Sequence, residues 1–205
     1  MSVWSASLVD IRTGEPQCGL TLLGGGRWED SDRPSATLTV AKDPLRELEL
    51  DRWWVPWRAG VLLELDGHPV HLGPLTQVPT VGRDTVGLRV GSLWDVLDHR
   101  YATAADFRPG HGAELAGSIL SVSGVSLGAI GWRLVQAAMA RRGGPLPVVH
   151  GTTDQVAGHE RSWAGFDVAN LSVAHLLGLL AGVVGGPDFR FDPEWEDDSR
   201  QRARW

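Results

Sequence analysis

One cysteine, one lysine and one tyrosine in 205 residues set the first limits on this chain. Cys18 alone excludes an internal disulfide and any cysteine-based zinc site, and it reads as a small buried hydrophobe. Long apolar runs are also missing. The longest, residues 171–184, carries His175 and several polar or glycine interruptions, short of the roughly 18 uninterrupted apolar residues of a membrane span. The start, Met1-Ser-Val-Trp4, has neither the charged nor the apolar region of a secretory signal, so the expectation is a protein made and kept inside a cell, or packaged from there. Positive charge is scarce: the net charge of −6 argues against a general nucleic-acid binder, which would show a basic face.

What is present is glycine, proline and tryptophan. Twenty-six glycines and 12 prolines predict many turns and limited continuous helix. The length suits one or two domains with a sizeable core. Ten tryptophans suit either a core or an interface, where tryptophan buries a large area with few rotors. For Trp53, Trp54 and Trp57 both readings stay open, because adjacent strand residues face opposite sides.

The pattern predicts a β-rich first half. Residues 3–11 and 19–23 read as strands, with Arg12-Thr13-Gly14 as a turn between them and Gly24-Gly25-Gly26 as a break after them. Ala36-Thr-Leu-Thr-Val40 alternates as a half-buried strand. Asp43-Pro44 predicts a short helix over 45–50, with Asp43 as its N-cap. Residues 60–65 and 70–73 predict a hairpin around Asp66-Gly67, and 86–90 a further strand. Ser92 then caps a helix to about Asp98, with Asp95 near the positive end of its dipole. The strand count suits a small barrel or sandwich.

Residues 102–117 are Gly/Ala-rich and read as a linker. Beyond it, Ser126 caps an amphipathic helix over 127–141 with Ile130, Leu134, Val135 and Ala138 on one stripe. Gly128 and Gly131 inside it predict close packing of a neighbour. A second helix is predicted from Asn170 or Ser172 to about Val183, with strands at 147–150, 161–166 and 189–191. The expected class is therefore α+β: a barrel-like domain over 1–101 and a smaller α+β domain with two helices over 118–205. The last segment, 200–205, reads as a hairpin only begun. The expectation is that the sequence is the ordered part of a longer chain.

No enzyme class emerges from the motifs. His68 and His71 flank a hairpin, where positions three apart face opposite ways, and no third metal ligand accompanies them. His159-Glu160 lacks the second histidine of a zinc-protease helix, since position 163 is Trp. Gly24-Gly25-Gly26-Arg27 lacks the tail of a phosphate loop, and no Gly-x-Ser-x-Gly elbow occurs. Glu194, Glu196, Asp197 and Asp198 read as a solvated turn, and Asp106, His111 and Glu114 as a mixed loop cluster. The expectation is no catalytic residue, no metal and no cofactor.

One resemblance gathers these elements. Leu8-Val-Asp-Ile-Arg-Thr-Gly14, Trp28 ahead of Ala36-Thr-Leu-Thr-Val40, and Pro56-Trp-Arg58 leading into Leu62-Leu-Glu-Leu-Asp-Gly67 resemble minor tail proteins of actinobacterial siphophages. Gly73, Leu93-Trp-Asp-Val-Leu-Asp-His-Arg100, Leu134-Val-Gln-Ala137 and Gly186-Pro-Asp-Phe-Arg-Phe-Asp192 continue it. The resemblance implies a baseplate-hub-like tail-tip protein, a virion component assembled in the host cytoplasm. It implies copies of itself in a trimeric or hexameric ring, with distal tail, tape-measure and tail-fibre proteins as neighbours. DNA would pass only through the lumen, and no membrane is involved. The candidate interface set is Trp53, Trp54, Trp57, Arg58, Trp94 and Arg100. A carbohydrate-reading tail module with Trp53, Trp54 and Trp57 as stacking platforms is the alternative, as is a hexameric distal tail subunit.

Overall fold

The computed structural model describes residues 2–42, 54–102, 119–140, 144–150, 156–164 and 171–205. The predicted helix over 45–50, Trp53 and nearly all of the predicted linker lie outside them. The chain forms two compact units, the first holding Met1–Val96, Leu146–Val149 and Phe191–Trp205, the second Leu97–Pro145 and His150–Arg190. The last 15 residues thus pack with the N-terminal unit, whereas the sequence placed them in the C-terminal domain. The mixed α+β class is as expected.

The first unit is two antiparallel four-stranded sheets. Sheet one has the order β2 (Pro16–Leu20), β1 (Trp4–Asp10), β5 (Ala59–Leu65), β6 (His68–Pro74). Sheet two has the order β3 (Leu22–Glu29), β4 (Ser35–Ala41), β8 (Thr85–Val90), β7 (Thr80–Val81). The inner faces pack together through Leu8, Val61 and Leu63 from one sheet and Leu38, Val40 and Leu88 from the other. Along one edge the sheets meet: Leu75, just past β6, bridges Val90, and the Gly91 N–H donates to the Pro74 carbonyl at 2.9 Å. This is an open sandwich with one seam, and the sheets do not close into the barrel that the strand count suggested. Closure needs every edge strand paired; among the described residues β2 and β3 each pair on one side only.

The hairpin prediction holds in detail. Asp66 (φ 52°) and Gly67 (φ 80°) are both left-handed, as a two-residue turn matching strand twist requires. Next to this turn, where Trp4 pairs with Leu65, Trp4 continues the inward row of Ala6 and Leu8, and on sheet two Trp28 stands opposite inward Ala36. Their rings meet at 5.9 Å and 58°, one from each sheet.

The centre of sheet one is buried on both faces. Strand β5 reads Ala-Gly-Val-Leu-Leu without polar alternation, and those residues are all buried. Its outer face, with Leu62 and Leu72, is crossed by the C-terminal segment carrying β11 (Glu194–Trp195) and β12 (Ala203–Arg204). Trp205 is buried there; its indole Nε1 donates to the Leu72 carbonyl at 2.9 Å. The Ala203 N–H donates to the Gly14 carbonyl at 2.9 Å, and Trp205 exchanges backbone bonds with Pro147 and Val149 at 2.9 and 2.7 Å. The stretch predicted as a strand at 147–150 is this backbone partner. A Cβ on Gly14 would lie 1.8 Å from the Ala203 carbonyl oxygen, so only glycine admits the crossing. Residues 189–191, also predicted as a strand, form none.

In the second unit, helices α2 (Leu127–Met139) and α3 (Val173–Ala181) pack together beside an antiparallel ribbon of β9 (Ile119–Val125) and β10 (Val156–Ala164). Ser126 and Ser172 cap the helices, each accepting a backbone N–H at 3.1 Å. Gly131 explains itself as predicted: a Cβ there would sit 2.4 Å from the Phe189 ring and 3.0 Å from Leu177. Gly128 has no such neighbour. Strand β9 was not foreseen, because Ile-Leu-Ser-Val-Ser-Gly-Val mixes strand and turn residues.

Candidate interaction surfaces

The expected interface residues separate by burial. Trp54 and Trp94 are each only 8% exposed. Trp54 belongs to the sandwich core. Trp94, on the short helix α1 (Leu93–Leu97), meets the Phe191 ring edge-on at 5.1 Å and lies under the Arg33 guanidinium at 5.5 Å. Arg100 is half-buried: its Nη1 donates to the Gly144 carbonyl at 2.9 Å and its carbonyl accepts the Val173 N–H at 2.8 Å. Burial holds its guanidinium somewhat below its ordinary range. Each of these three residues packs within its own unit. Their apolar or fixed surroundings were not visible from spacing alone.

Trp57 and Arg58 remain at the surface. The Val55 carbonyl accepts from both the Arg58 and Ala59 N–H groups, which winds residues 55–59 into one tight turn. Within it Trp57 has φ 67°, a left-handed conformation that a bulky residue adopts at a cost of roughly 1–3 kcal/mol. Its N–H is held by the Leu75 carbonyl at 2.9 Å, and its side chain is 41% exposed, beside Val55 at 41%. The same hydrogen bond ties this turn to the stretch leading to exposed Val78.

The outer face of sheet two is bare and polar. Arg27, Thr37 and Arg89 stand side by side across β3, β4 and β8. Beside them a shallow cavity of about 350 Å³ is lined by Ser35, Thr76 and Asp95 among others. Arg27 pairs with Glu29 on the same face. The cavity's lining of hydroxyls and mixed charge suits polar contact.

The titratable groups named from the sequence do not converge. His68 is exposed while His71 is 2% exposed, although a β-bulge in the hairpin sets them opposite Leu65 and Leu63, which share a face, and not on opposite faces as expected. Among the described residues no three His, Cys, Asp or Glu side chains gather as a metal set. The acidic turn is solvent-facing; Asp197 accepts from the Ser199 hydroxyl and, at 2.9 Å, from its N–H, which lowers its carboxyl pKa. Asp106, His111 and Glu114 lie outside the described residues. Cys18 is half-buried against the core, and burial raises its thiol pKa.

No protein-family profile matches the chain, and no curated protein does. Nine chains of solved structures match. One is the crystal structure of the prophage MuSo2 43 kDa tail protein from Shewanella oneidensis, at 15% identity and a TM-score of 0.45. The alignment covers 87% of this chain and 48% of that one, so the chain spans about half the length of the protein it matches.

Proposed function

We propose that this protein is a non-enzymatic structural component of a phage tail tip, a subunit of the hub or baseplate ring that joins the tail tube to host-recognition parts. The sequence resemblance to siphophage minor tail proteins supports the reading. The observation that carries it is the turn at 55–59, which holds Trp57 in a strained conformation with its side chain 41% exposed. Strain of this kind persists at sites with a function, and tryptophan with arginine is the typical composition of an interface centre. Arg58 supplies the arginine. Strand edges and a bare sheet face offer further surface to neighbouring copies, and a ring closes through such unlike, complementary faces.

Light scattering on purified protein, with imaging of assembled particles, tests this. A closed trimer or hexamer that Trp57→Gly dissociates supports the ring. Glycan binding lost in Trp57→Gly, with no assembly, would favour the carbohydrate-reading alternative.

A further inference from the structure

The seam between the two sheets ends in a buried polar node. His71 stands opposite Leu63 on the inward face, and its Nε2 is buried without a hydrogen-bond partner among the described residues. Beside it the backbones touch: a Cβ on Gly73 would lie 1.7 Å from the Gly91 carbonyl oxygen and 3.2 Å from His71 Nε2. Gly91 is hemmed on its other side, where a Cβ would meet Asp95 Oδ2 at 2.6 Å and Thr76 Cγ2 at 2.7 Å. That Asp95 oxygen already accepts the Ser92 N–H at 2.7 Å and the Ser92 hydroxyl at 3.1 Å, closing the first turn of α1.

We propose that His71 is an acid-sensitive latch on this seam, whose protonation forces β6 and β8 apart at Gly73 and Gly91. A neutral imidazole tolerates one bare nitrogen, whereas an imidazolium needs acceptors for both N–H groups. Two acceptors are near. The Gly91 carbonyl lies in the tight backbone contact at Gly73, and Asp95 already holds Ser92 through Oδ2. Asp95 is the one charged group acting on the ring among the described residues; β5 offers Leu63 and the seam offers backbone. Burial outweighs both favourable partners and holds the imidazole pKa down to about 4. An opened seam would return it to the solvated range near 6.5.

Hydrogen exchange on the full chain, corrected for intrinsic rates, reads the latch directly. The Gly91 and Thr76 amides span the seam, donating to Pro74 and Arg89. From pH 7 to pH 4.5 their opening constant should rise up to about 100-fold, while amides pairing β1 with β5 change much less. His71→Gln, which cannot titrate, should flatten the rise. Should that variant not fold, the wild-type protein still decides. Equal acid response in both strand pairs, or a His71 imidazole titrating near 6.5 by NMR, would overturn the latch.

Discussion

Sheet one and sheet two have four strands each and share one core, yet they treat their outer faces differently. Sheet one is covered, its β5 apolar at successive positions and its outer Leu62 and Leu72 sealed under Trp205. Sheet two is bare: Ser35-Ala-Thr-Leu-Thr-Val-Ala41 alternates between solvent and core. The two outer faces locate each sheet's stabilising energy. A covered sheet draws stability from both faces, and a bare one keeps a face for contact.

The largest expected effect follows from removing the cover. Trp205→Ala loses a buried ring and its bond to Leu72, and should cost roughly 3–5 kcal/mol in denaturant unfolding. Gly14→Ala should cost about 2 kcal/mol or more, because a Cβ collides with the crossing segment and φ is 73°. An unchanged unfolding midpoint in either variant would mean that the cover of sheet one adds little stability.

Acid should come next. His71 is charged when unfolded below about pH 6.5 but stays neutral when folded down to about pH 4. The unfolded chain therefore binds more protons in that window, and stability is full above 6.5 and falls towards pH 4, by up to about 3 kcal/mol. Thermal unfolding of wild type against His71→Gln across that range isolates the contribution.

Trp57→Gly should move the other way, raising the stability of the isolated chain by about 1 kcal/mol as strain is relieved. The smallest effect belongs to the bare face: Thr37→Ala should stay within about 0.5 kcal/mol.

Much of this contrast was legible in sequence. The alternation of residues 36–40, the Asp66-Gly67 turn and the two serine caps are local signals, and each sits where its chemistry put it. Three things were not. The crossing of residues 191–205 over sheet one, which sets Trp205 against Leu72, is a contact of high sequence separation. Burial of Trp54 and Trp94 depends on partners far along the chain, Phe191 among them, so composition could not tell core from interface. The candidate surface was half legible: Pro56-Trp57-Arg58 stood out, but the left-handed turn that exposes Trp57 follows from the Leu75 and Val55 hydrogen bonds.

Assembly through the exposed turn requires the Trp57 side chain at the contact. Light scattering of wild type and Trp57→Gly at equal, high concentration measures it most directly. A closed ring for wild type, with subunits released in the variant, is the expected result. A strict monomer in both, never found on tail particles, contradicts the account.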